Sequence, residues 1–319
     1  MIDQPTVRHP RNEAEAVAGR AARVLEPSPP AIDDGEFFAD DPASLGGDRD
    51  AVTPTSAGAL TWADLATEDD DIAAFARDHW LAAYRRLPAV PSDYVRRRDD
   101  LHRLAYSVVA EARRVANTKF GLRFTRGGFG TPFFGADAQV RVESGLLIVQ
   151  EGDTTRAQPI SSLAEAGRFV GVTPATDAAE HDSPPLGDLD APLDVDAELT
   201  DFVGAWFGFA ASVLEELRLT EGAVDVSRVQ VWPGHLDAAI ELGDADANAR
   251  ATYGASTGDA AHSEPYLYVG PWSAVDGSDP FWNDEHFTGA SLTYADLRVA
   301  GDPRATALEF YRDAHRRLN

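Results

Sequence analysis

LTDFVGAWFGFAASVLEEL, residues 199–217, is the stretch whose reading decides the fold. Its apolar residues Leu199, Phe202, Val203, Trp206, Ala210, Val213, Leu214 and Leu217 recur at i, i+3, i+4 and i+7, the stripe of a helix with one buried face. A second stripe with the same phase stands about a hundred residues earlier, at Leu101, Leu104, Ala105, Val108, Ala112 and Val115. Each stripe gives way to extended sequence. After the first come FGLRFT, GADAQVRVES and LLIVQEGDTTRAQPI; after the second come VSRVQVW, HLDAAIEL, NARATYGA and PYLYVGPW. Phe120, Leu122 and Phe124, and then Val140 and Val142, alternate with the two-residue period of a half-buried strand, while Glu-Ser-Gly and Glu-Gly-Asp supply turns. Helical sequence closes each block, at 161–170 and from 302 to the end. Ser162 with Glu165 has capping-box spacing, and Asp302 followed by Pro303 reads as an N-cap and a first helical position. The expected fold is α+β: two α-β-β-β-α units with antiparallel sheets, related as an internal repeat and packed as a pseudo-dimer.

Punctuation sets the domains. Residues 1–58 mix Pro, Gly, Ala and acids without a period and read as a mostly disordered arm. A helix is expected from about Asp70 to Leu87, with Ile72, Phe75, Ala76, His79 and Ala83 on one face and Pro88 as its stop; it joins the first unit within 59–171. An acidic, proline-rich linker follows over 172–195, and the second unit occupies 196–319.

Charge narrows the partners. There are 53 acidic residues against 28 basic, a formal net charge of -25, and Lys119 is the only lysine. Such a surface repels phosphate backbones and anionic headgroups, so nucleic acid and membrane are not expected partners. Arg85, Arg86, Arg96, Arg97, Arg98, Arg103, Arg113 and Arg114 form the one basic cluster, which reads as pairing with neighbouring Asp and Glu. The composition suits a salt-adapted protein or a GC-rich genome. With no cysteine, disulfides, thiolate metal sites and cysteine nucleophiles are excluded. No apolar signal region opens the chain and no run of eighteen apolar residues occurs, so a cytoplasmic location is expected.

Chemistry concentrates in the second unit. His235 and Asp237, two apart, would share a strand face, and His262 and Glu264 repeat the spacing. Together they have the donor types of a divalent metal site, with Asp259 close by, although no tight ligand motif is present. His235 and Asp237 are also the candidate catalytic pair. Trp232, Tyr266, Tyr268 and Trp272, followed by Phe281, Trp282, His286 and Phe287, form an aromatic set able to line a pocket for a small organic ligand. In the first unit, RGGFGTPFFG (126–135) lacks the order of a phosphate loop, and Gly127, Gly128 and Gly130 read as suppliers of positive φ or a bulge in a hairpin. No cofactor motif and no G-x-S-x-G elbow occurs, and no oligomeric state is read from the sequence.

From about Tyr94 onward, the order of DDLHRLAY, a Gly-containing strand block, an acidic linker, an aromatic helix, VQVWPGHLDAAIEL and EPYLYVGPW resembles an uncharacterised bacterial family, a domain of unknown function. Its Trp-Gly-x-x-Asp-Leu-Ala strand segment falls on Trp232, Asp237 and Ala238, and its later aromatic and proline segment on Tyr266, Tyr268 and Pro271. Here Pro233-Gly234-His235 replaces the family's pattern, which has no dependable histidine, so the resemblance favours Asp237 over His235 and implies no activity. The expected function is thus a small-molecule-binding or non-catalytic protein with an aromatic-lined cleft in the second unit. The alternatives are a metal-dependent or acid-base hydrolase or isomerase using His235, Asp237, His262 and Glu264, and an interaction scaffold working through the acidic arm.

Overall fold

The computed structural model describes residues 87–319 apart from 126–127, 133, 136–137, 152–153, 178–182, 219, 221 and 228. The arm expected over 1–58, the helix expected to begin near Asp70, and Arg85 and Arg86 lie outside the described residues.

A helical segment opens the first half: α1 (Tyr94–Leu104), a π-helical turn (Ala105–Ala110) and α2 (Glu111–Asn117) run on without a break. Five antiparallel strands follow as a meander, β1 (Arg123–Thr125), β2 (Gly128–Gly130), β3 (Ala138–Glu143), β4 (Leu146–Glu151) and β5 (Thr154–Pro159), closed by α3 (Leu163–Val170). The second half repeats the order. Helix α4 (Ala197–Leu217) leads into β6 (Gln230–Trp232), β7 (Asp237–Leu242), β8 (Ala251–Ser256), β9 (Tyr266–Pro271) and β10 (Ala290–Thr293), with α5 (Tyr294–Val299) and α6 (Pro303–Leu318) at the end. The protein is α+β, and each half is helix, antiparallel meander, helix. Each sheet has five strands where three were expected. The additional strands include GFG at β2 and ASLT at β10, too short to show alternation.

The caps hold the helices where the sequence put them. Ser162 accepts from the Glu165 N–H, Asp196 from Leu199 and Asp302 from Ala305, with Pro303 in the first turn of α6. Each such cap stabilises its helix by about 1 kcal/mol.

One face of each sheet is apolar and lies under helices. Phe124, Phe129, Val142 and Leu147 are cross-strand partners in the first sheet; Ala238, Ala255 and Leu267, and Ile240, Tyr253 and Val269, are partners in the second. Helix α4 packs on β1, β2 and β3 as well as on β7 and β8, so it bridges both sheets. Phe207 meets Phe129 edge-on at 5.8 Å, while Trp206 donates its indole N–H to the Ser256 carbonyl at 2.8 Å. Removing either buried ring would cost about 3–5 kcal/mol.

The halves are joined edge to edge and tied through the starts of their long helices. Leu122 and Val231, just outside β1 and within β6, trade both backbone hydrogen bonds, 2.8 and 2.9 Å. At the start of α4, Thr200 accepts from the Gly145 N–H at 2.7 Å and Ser144 bonds Asp201 at 2.8 Å, both in the turn between β3 and β4. Gly145 must be glycine there: its φ is 76°, and a Cβ would sit 2.8 Å from the Ala197 nitrogen. The start of α1 makes the reciprocal contact, since the Tyr94 hydroxyl donates to the Thr257 carbonyl at 2.8 Å and Arg98 to that of Asp259 at 3.3 Å, both between β8 and β9. Each long helix therefore begins against the turn that follows the third strand of the other half.

Two expectations need correction. Val115 is not on the buried stripe but 68% exposed, because the π turn puts more residues into one turn and rotates the face that follows it. Gly128 and Gly130 do not supply positive φ. They stand within β2, where a Cβ would come 1.8 Å from the Val142 oxygen or 2.4 Å from the Arg141 Cβ, so close strand approach requires them.

Residues 172–195 carry no helix or strand among those described, yet specific bonds hold them: Ala175 N–H to the Ser107 carbonyl of the π turn, Ala164 N–H to that of Leu189, and Leu193 N–H to that of Ser161. The arginine cluster meets the acids that follow. Arg96 pairs with Asp194, and Arg97 with Asp196 and, at 3.0 Å, with Glu198; Arg114 reaches Asp177 at 3.0 Å.

Candidate functional site

The face of the second sheet turned away from the helices is polar and aromatic. Trp232, Asp237, Ser256 and Tyr266 form one cross-strand row, and Ala239, Gly254, Tyr268 and Ser291 the next. The period-two pleat that sends Leu267 and Val269 into the core sends Tyr266, Tyr268 and Gly270 to this face. The Tyr268 ring lies across Gly254, where a Cβ would be 2.4 Å from it, and its hydroxyl donates to Asp237 Oδ2.

Asp237 is 3% exposed and its Oδ1 has no hydrogen-bond partner among the described residues. Burial pushes its carboxyl above the usual range, against the opposing pull of the Tyr268 hydroxyl and of His235. His235 itself stands exposed in the turn 233–236 before β7 begins, so it does not share a strand face with Asp237 as its spacing had suggested.

His262 and Glu264 also precede their strand, in the loop 257–265 before β9. The His262 ring stacks on Tyr266 at 4.1 Å and meets His286 edge-on at 5.2 Å. Its Nε2 is 3.0 Å from Asp284, a carboxylate only 1% exposed, and its Nδ1 is 3.4 Å from Asp259. Both carboxylates are held low. Burial works against this, but it is outweighed at Asp259 by the Tyr266 hydroxyl and the N–H groups of His262 and Ala261, and at Asp284 by Ser291, the His286 N–H and His262. Two loops, 257–265 and 272–289, are thereby clasped to each other. Glu264 is elsewhere, beside Tyr94 and Arg96 on a shallow cavity of about 410 Å³. The four residues considered as metal ligands thus fall in three settings, and among the described residues no group of three or more His, Asp or Glu is placed to hold a metal ion.

The aromatic candidates do share one surface. Trp232 is half-exposed and meets Phe120 of the first half edge-on at 6.5 Å. Trp272 is 59% exposed; the Arg250 guanidinium stacks on it at 4.8 Å, and its indole N–H reaches Thr252 at 3.3 Å. Between Tyr268 and Trp272 the floor is open, since a Cβ on Gly270 would meet nothing within 4 Å.

No family model, curated protein or solved structure matches the chain.

Two features escaped the sequence reading. His102, in the first helical stripe, is buried and places Nε2 2.9 and 3.0 Å from the Pro233 and Gly234 carbonyls, tying α1 to the β6–β7 turn. Burial lowers its pKa to about 4. The only signal was a histidine next to Leu101 on a buried stripe. The other is a cavity of about 400 Å³ beside the π turn, for which the sequence carries no signal.

Proposed function

We propose that this is a non-catalytic protein that binds a small organic ligand on the aromatic face of its second sheet, with Trp232, Tyr266, Tyr268 and Trp272 as the contact surface. The observation that carries this reading is the placement of these rings on one face, with an open floor at Gly270 between Tyr268 and Trp272. Amphipathic rings around an uncrowded floor suit stacking, and Thr252 and Asp237 supply polar groups on the same face. His262 supports a non-catalytic role, because both of its nitrogens face carboxylates in a clasp between loops. The likeness to a bacterial family without a known activity is part of the same reading. So are a cytoplasmic location and the exclusion of nucleic acid, which a net charge of -25 would repel. Among the described residues no helix is long and apolar enough to cross a membrane.

Saturation-transfer NMR with a set of water-soluble aromatic and heterocyclic fragments tests the reading. Fragments that receive magnetisation from the parent protein but not from Trp272→Ala or Tyr268→Ala support it. Equal transfer in parent and variants, or none in any, would sink it.

One observation favours a second reading as an acid-base enzyme: a buried carboxyl of raised pKa, Asp237, stands near an exposed His235. In that case Asp237→Asn abolishes turnover of whichever bound fragment is a substrate without loosening its binding.

A further inference from the structure

Trp272 is 59% exposed, yet three contacts fix it. Its backbone N–H bonds the Arg250 carbonyl at 3.0 Å, its indole N–H reaches Thr252 at 3.3 Å, and the Arg250 guanidinium stacks on its ring at 4.8 Å. Arg250 is itself pinned, donating to the Asp225 carbonyl at 3.0 Å and to that of Gly243 at 3.5 Å. A large apolar ring gains from burial, so one that is both exposed and immobilised forgoes that gain and gives up its rotamer freedom as well. It is thereby ordered in advance of any ligand, which then has no ordering cost to meet. Since Arg250 covers one face of the indole, the opposite face is the open one.

The groups around the ring are of one chemical kind. Thr252 donates its hydroxyl to Glu241 at 2.9 Å while accepting from the indole. Ser273, next in sequence to Trp272, donates to Asn248 Oδ1 at 3.0 Å, and Asn248, exposed in the turn between β7 and β8, keeps its amide N–H donors. Hydroxyls and an amide both donate and accept. The bare floor at Gly270 adjoins them.

Ligand chemistries can be weighed against this lining. An anion meets the field of a net charge of -25. A cation would share an indole whose electron-rich ring already serves Arg250. A flat aromatic would stack but leave the hydroxyl and amide rim unused. A pyranose answers both parts, because one face of its ring carries only C–H groups, which pack on an indole, while its edge carries hydroxyls that donate and accept at once.

Building on the reading of this face as a ligand site, we propose that its ligand is a neutral sugar, a pyranose whose C–H face lies on the open side of Trp272 and whose hydroxyls bond Asn248, Ser273 and Thr252.

The test is saturation-transfer NMR on the full chain with the methyl pyranosides of glucose, galactose and mannose. Three controls accompany them: sorbitol, which has hydroxyls but no ring face; phenol, which has a ring but no hydroxyl-bearing edge; and glucuronate, which adds a charge. At least one pyranoside should bind in the millimolar range and about tenfold or more tighter than sorbitol, and glucuronate should bind more weakly than the glucoside. Trp272→Ala should abolish the signal and Trp272→Phe should keep most of it. Asn248→Ala should weaken binding about threefold to tenfold, the ratio of one neutral hydrogen bond. Both residues are exposed, so the variants leave the core untouched, and equal melting temperatures verify this. Silence from every pyranoside, equal binding of sorbitol, tighter binding of glucuronate, or pyranoside binding unmoved by Trp272→Ala would each overturn the proposal. Phenol bound through Trp272 or Tyr268 while every pyranoside stays silent refutes the sugar alone and leaves the aromatic face a ligand site; silence from all probes sinks both.

Discussion

The bond from Tyr268 to Asp237 can be tested by taking away a single oxygen. Tyr268→Phe keeps the ring across Gly254 and removes the donor to Asp237 Oδ2. Oδ1 already lacks a side-chain partner among the described residues, so the variant leaves a buried carboxyl without a side-chain donor. A hydrogen bond to a charged group contributes about 1.5–3 kcal/mol, and stranding the acceptor puts the loss at the upper end, about 2–3 kcal/mol. For a body of this size that lowers the melting temperature by about 5–10 °C. Asp237→Asn keeps an oxygen for the tyrosine and removes the buried charge, so it should cost less, about 1 kcal/mol. The double variant should then be milder than the sum, with a coupling of about 1–2 kcal/mol in a chemical-denaturation cycle. A loss below about 0.5 kcal/mol for Tyr268→Phe, or strict additivity, would refute the account of Asp237 as a carboxyl held by that hydroxyl.

Three further outcomes are expected. Because His102 has its pKa lowered to about 4 in the folded chain and titrates near 6.5 when unfolded, the unfolded state takes up its proton first, and stability falls as pH drops from about 6.5 towards 4. That loss should reach about 2 kcal/mol by pH 5 and be absent in His102→Gln; identical pH profiles for parent and variant would disprove the assignment. His262→Ala should open the clasp, and amide exchange at His286 and Phe287, whose N–H groups bond Asp284, should quicken about tenfold while β7 and β8 stay protected; unchanged exchange would deny the clasp its role. Finally, with a net charge of -25, stability should rise as salt goes from low millimolar to molar, since screening acts over about 10 Å at 0.1 M, and a flat or falling melting curve would show the acidity to be internally balanced.

What the sequence made legible was whatever repeats within a turn or a pleat. The stripe from Leu199 to Leu217 became α4, LLIVQEGDTTRAQPI supplied β4 and β5, and Asp302 capped the last helix as read. Features set by tertiary contact were not legible. Nothing in AYSVVA marks a π turn, so Val115 was assigned to the wrong side. His235 looked like a strand residue because spacing alone does not reveal that the 233–236 turn ends just before Asp237. For the site, the aromatic composition was visible, as was the shared face of Tyr266 and Tyr268. The partner of Asp237 was not, since Tyr268 reaches it from two strands away across Gly254.

The ties between the halves bear on how their two sheets come to differ. In an assembly of two identical subunits with this arrangement, every substitution is present twice, and a change that suits one site is imposed on its twin. A single chain that carries both halves is free of that constraint. Across the Leu122–Val231 seam, α4 runs unbroken for 21 residues, whereas its counterpart is interrupted by the π turn and bears the cavity. The second sheet gathers Trp232, Tyr266 and Tyr268 on the face opposite its helices, whereas the first buries Arg123, Arg141 and Gln150 on the corresponding face. With both halves in one chain, the corresponding faces of the two sheets carry different side chains, while α4 and the Leu122–Val231 seam hold them in one body.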